Sequence, residues 1–178
     1  MLPRLHQHAW MDESIEAFRD QLRRYIAGEM SPDLDAWRRQ GYVPREVWRE
    51  FGAMGFLLPE MDETYGGSGT SVAYQLVVQD EMAKAEMPAT TGVHSIATHY
   101  IRDYGTEEQK KKWVGPTLRG EVIWCQGYSE PGAGSDLAGV QTHAADQGET
   151  WLVNGQKIWT SYADRADWIF ALLRTDRE

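Results

Sequence analysis

The sequence has 178 residues, 42% of them apolar, and its 18 basic and 27 acidic side chains give a formal charge of −9. The apolar share excludes a disordered chain. The acidity excludes nucleic-acid recognition through a basic face, since the one short basic cluster, Lys110-Lys111-Lys112, sits among Glu107, Glu108 and Glu121. A small anion held locally by loop amides or helix N-termini stays compatible with this charge.

The first two thirds read as helical. Apolar residues at Trp10, Ile15, Phe18, Leu22, Tyr25 and Ile26 keep near-helical spacing, with Asp12 as the expected N-cap and Gly28 as the expected stop. Ser31-Pro32 opens a connector, and Pro44 suits the first turn of a short helix through Val47, Trp48, Phe51 and Met54, ended by Gly55. Residues 56–70 read as loop, with Pro59 and the run Tyr65-Gly66-Gly67-Ser68-Gly69-Thr70. Ser71 to Glu86 is a helix whose apolar face carries Val72, Leu76, Val77 and Met82. Pro88 starts another, reaching about Tyr104. Gly105 breaks it, and Thr106-Glu107-Glu108-Gln109 has the capping-box pattern for a last helix toward Leu118 and Gly120.

The period then changes from helix to strand. Val122 to Tyr128 reads as a strand, and Gly139–Ala145 and Thr150–Val153 as short strands joined at Gln147-Gly148. Asn154-Gly155 marks a tight turn before Lys157-Ile158-Trp159-Thr160-Ser161, and Asp167 to Arg174 is a final strand, apolar on both faces. The expected fold class is α+β: an all-α helical domain over residues 1–120, then an incomplete antiparallel β domain over residues 121–178. So apolar a last strand needs partners, so either another chain supplies the missing strands or these residues are part of a longer protein.

Met1 to His8 lacks the apolar core of a signal peptide. No apolar run approaches the roughly 20 residues of a membrane span. The lone Cys125 has no internal disulfide partner and apolar neighbours, which fits an inert buried thiol and a cytoplasmic protein. No metal site is expected: His94 and His99 are five apart, off a common helical face, and His6 with His8 is a tail pair.

The chemistry concentrates after the first strand, in Gly127-Tyr128-Ser129-Glu130-Pro131-Gly132-Ala133-Gly134-Ser135-Asp136. Glycines there let bare backbone N–H groups approach a ligand, with Ser129 and Ser135 to orient it. The same residues are also ordinary turn chemistry. No helical pattern follows, so this is not a dinucleotide fingerprint, and no Gly-Lys-Ser/Thr closes it into a P-loop. A companion segment, Gly155 to Ser161, offers an indole and two hydroxyls, which suits a flat heterocycle with a polar rim. Trp159 alone reads more readily as core than as a cofactor contact.

Gly127-Tyr128-Ser129-Glu130-x-x-Ala133-Gly134-Ser135-Asp136-x-x-Gly139 resembles the signature of the acyl-CoA dehydrogenase family, and Asn154 to Ser161 resembles its second flavin segment. Tyr104-Gly105-Thr106-Glu107-Glu108-Gln109-Lys110 and Pro59-Glu60 before Tyr65-Gly66-Gly67-Ser68-Gly69 resemble its helical-domain patterns, so the likeness covers nearly the whole chain. It implies FAD-dependent α,β-dehydrogenation of an acyl-CoA thioester: a carboxylate takes the α proton while the β hydride passes to flavin N5.

By position, the resemblance implies cofactor binding by Gln126, Tyr128, Ser129, Gly134, Ser135, Trp159 and Ser161. Ser129 would face the flavin pyrimidine, Trp159 would pack on the ring, Ser161 would reach N5, and Ser135 would also touch the CoA part of the substrate. Ser129 and Ser161 stand where many relatives carry threonine, so the hydroxyl is kept. Glu130 is expected to be structural. Met82, Met87 and Tyr100 are candidates for the acyl pocket. No residue here corresponds to the family's catalytic glutamate, which lies in a C-terminal helical domain, so the 178 residues alone are expected to be inactive and to hold FAD weakly. The implied partners are the acyl-CoA substrate, an electron-transferring flavoprotein as acceptor, and further subunits in a homo- or hetero-oligomer. A split or non-catalytic subunit, or a related acyl-CoA oxidase or flavin monooxygenase, is the alternative.

Overall fold

A computed structural model describes residues 10–88 and 92–175. Expectations for the tail pair His6 and His8, and for residues 89–91 at the expected start of a helix, lie outside the described residues. The chain divides into two compact units, Met1–Glu121 and Val122–Glu178.

The first unit is helical: α1 (Glu13–Tyr25), α2 (Leu34–Gln40), α3 (Arg45–Ala53), α4 (Val72–Lys84), α5 (Gly92–Tyr104) and α6 (Glu107–Leu118). Asp12 caps α1, its carboxylate accepting from the Ile15 N–H at 2.9 Å. Gly28 does not end that helix. The chain widens into a π-helical turn, Ile26–Met30, because Ile26 and Met30 are both buried and their packing favours continuation. Pro44 precedes α3, and Gly55 follows its end at a φ of +74°. Thr106 and Gln109 form the reciprocal capping box of α6, at 3.2 and 2.8 Å.

Two glycines let α3 and the end of α6 meet backbone to backbone. A Cβ on Gly52 would lie 2.6 Å from the Leu118 carbonyl oxygen. One on Gly120, at a φ of +64°, would strike the Trp48 carbonyl. The core gathers Leu22, Met30, Phe51, Phe56, Leu58, Met61, Val77, Val78 and Val114.

The expected apolar face of α4 is rotated in the structure. Val72 and Leu76 are exposed, while Ala73, Gln75, Val77, Val78, Glu81 and Met82 are buried. Glu81 turns inward because α1 supplies its counter-charge: Arg23 donates to it twice, at 2.7 and 2.8 Å.

The second unit holds β1 (Trp124–Gly127), β2 (His143–Asp146), β3 (Trp151–Asn154) and β4 (Trp168–Ala171). Strands β2 and β3 form the expected antiparallel hairpin across Gln147-Gly148. The pairing of β1 with β4 departs from an antiparallel domain: these strands run parallel, from Trp124↔Trp168 to Gly127↔Ala171. Their first ends are pinned together, since Ile123 N–H donates to the Asp167 carboxylate at 2.9 Å and Asp167 N–H donates to the Ile123 carbonyl at 2.8 Å. The intervening hairpin is the crossover that parallel pairing requires. Arg174 ties the two sheets together, exchanging backbone bonds with Ala144 (2.8 Å) and Thr142 (2.9 Å). Trp151, Leu152 and Val153 of β3 and Trp168 and Ile169 of β4 are exposed.

Candidate flavin-binding wall

Strand β1 delivers the first segment. Gln126 and Gly127 lie in the strand, and Tyr128 and Ser129 continue from it, with the Tyr128 ring 6.1 Å from that of Phe170 on β4. The chain then turns tightly: Glu130 N–H donates to Ala133 O at 2.8 Å and Ala133 N–H to Glu130 O at 3.1 Å, leaving Pro131-Gly132 at the tip. Gly134 and Ser135 follow on an exposed arm, and no atom lies within 4 Å of where a Gly132 or Gly134 Cβ would stand.

The second segment lies outside the strands. Residues 155–161 follow β3 as irregular backbone, because Gly155 at a φ of +152° sits directly on Thr142. A Cβ there would lie 2.5 Å from the Thr142 Cα and Cβ. Trp159 adopts a φ of +53°, a left-handed conformation uncommon for a bulky residue, and its indole is 82% exposed. Ser161 is also exposed.

Hydrogen bonds bring the two segments together. Ile158 N–H donates to Ser129 O at 3.0 Å, and Lys157 Nζ donates to Tyr128 O at 3.0 Å. The structure thus joins Tyr128 and Ser129 to the segment bearing Trp159 and Ser161, with Gln126 behind them on β1 and Gly134 and Ser135 on the outer arm.

Glu130 is the buried centre of this arrangement. Its carboxylate accepts from Gln141 N–H (2.6 Å), Thr142 N–H (2.9 Å) and Lys157 Nζ (2.8 Å). Burial pushes its pKa up, but the bonds from Lys157, Thr142 and Gln141 outweigh that and bring it down to about 2. A carboxylate so committed holds loops together and has no basicity left to act as a catalytic base.

The structural role expected of Glu130 depends on partners that the sequence does not reveal. Lys157 lies 27 positions away, and a pattern of alternation carries no signal for that contact. A cleft of about 400 Å³, lined by Glu130 and Thr142 together with Pro131, Gly132, Gly139, Gln141, Gly155 and Gln156, includes none of the seven candidate cofactor residues.

Among the acyl-pocket candidates in the helical unit, Met82 and Met87 are buried and Tyr100 is half exposed. His94 stacks on Trp48 (centroids 4.9 Å apart), and burial lowers its pKa to about 4. His99 faces Glu60 at 3.2 Å. Among the described residues no three His, Cys, Asp or Glu side chains are grouped to hold a metal, and no helix is long and apolar enough to cross a membrane.

The two units coincide with two known protein domains. Residues 12–121 match the acyl-CoA dehydrogenase N-terminal domain, and residues 125–178 match the acyl-CoA dehydrogenase middle domain. The chain belongs to the acyl-CoA dehydrogenase family.

It is 35% identical to the acyl-CoA dehydrogenase IpdE1 of Mycobacterium tuberculosis, over 93% of this chain and 46% of that protein. The crystal structure of the ChsE4-ChsE5 complex from Mycobacterium tuberculosis superposes with a TM-score of 0.86 at 36% identity, over 94% of this chain and 44% of that one. That of a glutaryl-CoA dehydrogenase from Mycobacterium smegmatis in complex with FADH2 gives 0.87 at 28% identity, over 93% and 44%. The chain therefore spans a little under half the length of these relatives.

Proposed function

We propose that these residues are the N-terminal helical domain (1–120) and first part of the middle β domain (121–178) of an enzyme that catalyses FAD-dependent α,β-dehydrogenation of an acyl-CoA thioester. The observation that supports the reading is the hydrogen bond from Ile158 N–H to Ser129 O, which ties the segment bearing the exposed Trp159 and Ser161 to the Ser129 loop. The donor set fits the group: a flat, polar-edged ring needs an aromatic face and short hydroxyl donors at its rim, and both are present. The FADH2 complex of the glutaryl-CoA dehydrogenase supports the same cofactor here.

In this reading Trp159 stacks, Ser129 and Ser161 donate at the ring's edge, Gln126 and Tyr128 back the wall, and Gly134 and Ser135 meet the cofactor or the CoA moiety from the outer arm. FAD, when bound, supplies the hydride acceptor. No residue described here is assigned as the base that removes the α proton. Glu130 is excluded by its bonding, and the family resemblance implies a base supplied by a C-terminal helical domain or by a partner. A cytoplasmic setting and an electron-transferring flavoprotein as acceptor complete the proposal.

The ChsE4-ChsE5 likeness favours a second arrangement for the same chemistry, in which a partner chain completes the site in a hetero-oligomer. Co-purification tests both. Expression with its native downstream sequence, or with a partner carrying the missing domain, yields a yellow protein that oxidises an acyl-CoA with an artificial electron acceptor. A colourless protein under both conditions refutes the reading.

A further inference from the structure

The loop 128–136 and the segment 155–161 are not paired as strands, yet a flavin wall needs a fixed distance between Ser129 and Trp159. Trp159 contributes little to its own placement, since its indole is 82% exposed and its backbone is left-handed at a φ of +53°. The two residues before it are the anchored ones. Ile158 N–H donates to Ser129 O at 3.0 Å, and Lys157 Nζ bridges Tyr128 O at 3.0 Å and Glu130 Oε1 at 2.8 Å. The Lys157 ammonium and the Glu130 carboxylate are 11% and 6% exposed, so the pair is shielded from water and salt. Glu130 also takes both backbone N–H groups of Gln141 and Thr142, just before β2. One carboxylate thus gathers three stretches of chain, and Lys157 is the link from them to the indole.

We propose that Glu130 and Lys157 are positioning residues for the cofactor, a buried ion pair that sets the span between the Ser129 and Trp159–Ser161 sides of the wall. The proposal rests on the flavin reading above. Neither residue touches the reacting atoms. Lys157 acts through Ile158 and Trp159, and Glu130 acts through Lys157. Charge and reach are both required, because a neutral side chain at 157 leaves Glu130 buried without its counter-ion and frees the segment at its anchor.

The test uses Lys157→Met and Lys157→Arg. Amide hydrogen exchange on the 178-residue chain comes first. Lys157→Met is expected to speed exchange of the Ile158 N–H at least tenfold while the amides of the β2–β3 hairpin keep wild-type rates, and Lys157→Arg restores most of the protection. Unchanged Ile158 exchange in Lys157→Met overturns the clamp, whatever the flavin does. Loss of the hairpin amides as well overturns it too, because the residue would then serve general stability.

The second readout is FAD titration of the protein completed to the length of its relatives. Lys157→Met is expected to weaken FAD binding at least tenfold and shift the visible flavin bands, with recovery in Lys157→Arg. Faster Ile158 exchange with unaltered flavin affinity and spectrum overturns the positioning role. Faster Ile158 exchange in Lys157→Met, together with a completed wild-type protein that takes up no FAD, refutes the flavin reading and leaves the clamp standing.

Discussion

Replacing Gly155 by alanine tests whether close packing places the second segment of the wall. The added Cβ would stand 2.5 Å from both the Cα and the Cβ of Thr142, and closer still to its hydroxyl, at a φ of +152° that side chains rarely adopt. Thr142 cannot retreat freely. Its N–H is held by Glu130 at 2.9 Å and its carbonyl by Arg174 N–H at 2.9 Å. The backbone strain costs about 1–3 kcal/mol. Overpacking costs about 1–3 kcal/mol more. Part of the two is relieved by the same movement, so a net loss of about 2–4 kcal/mol is expected. Urea denaturation followed by hydrogen exchange in the Val122–Glu178 unit measures it, with the helical unit as internal control. Gly155→Ala is also expected to weaken FAD binding in the completed protein, because displaced backbone at 155 carries Lys157 and Trp159 with it. Stability within about 0.5 kcal/mol of wild type, the spread of ordinary surface substitutions, would refute the packing argument.

Further outcomes follow from the helical unit and from acid titration. The His94 imidazole has a pKa near 4 in the folded chain against 6.5 for the free group, so the unfolded chain binds the extra proton first. Stability is expected to fall as pH drops from about 6.5 to about 4, by roughly 3 kcal/mol at 1.36 kcal/mol per pKa unit, and His94→Phe should flatten that slope in pH-dependent urea melts. Glu81→Gln keeps the shape but removes the charge that receives Arg23 from α1. A loss of about 2 kcal/mol is expected in thermal or urea unfolding, less in high salt because Arg23 is half exposed. Glu130 shifts stability in the same direction as His94, but over a more acidic range. With its folded pKa brought down to about 2 from 4.5, it stabilises the β unit above about pH 4.5, and that contribution disappears as pH falls toward 2. Glu130→Gln should remove this acid limb from the unfolding profile of the β unit.

The local signals in the sequence were the dependable ones. Asp12 before α1 and the Thr106–Gln109 box before α6 are short-range hydrogen-bonding patterns, and both stand in the structure as read. The glycine-rich loop and the hairpin at Gln147-Gly148 were legible for the same reason: each is closed by bonds a few residues apart. What sequence pattern missed depends on distant partners. Gly28 read as a stop, but tertiary burial of Ile26 and Met30 carries the helix past it. Val72 and Leu76 read as core-facing, but α1 places Arg23 over Glu81 and that face of α4 turns inward instead. Alternation alone cannot distinguish parallel from antiparallel pairing, and the Ile123–Asp167 pins that align β1 with β4 join residues 44 apart. The segment around Trp159 has no alternation that predicts its irregular backbone. Gly155 against Thr142 turns it away from any ladder.

The most direct test of the central claim is flavin content in the completed protein with the wall altered one residue at a time. Wild-type protein carrying its full complement of domains should retain FAD through gel filtration. Trp159→Ala and a Ser129→Ala/Ser161→Ala pair should each lose most of it, while Leu76→Ala, on the exposed side of α4, should retain it. Full retention of FAD in both wall variants, with wild-type absorbance, would contradict the account.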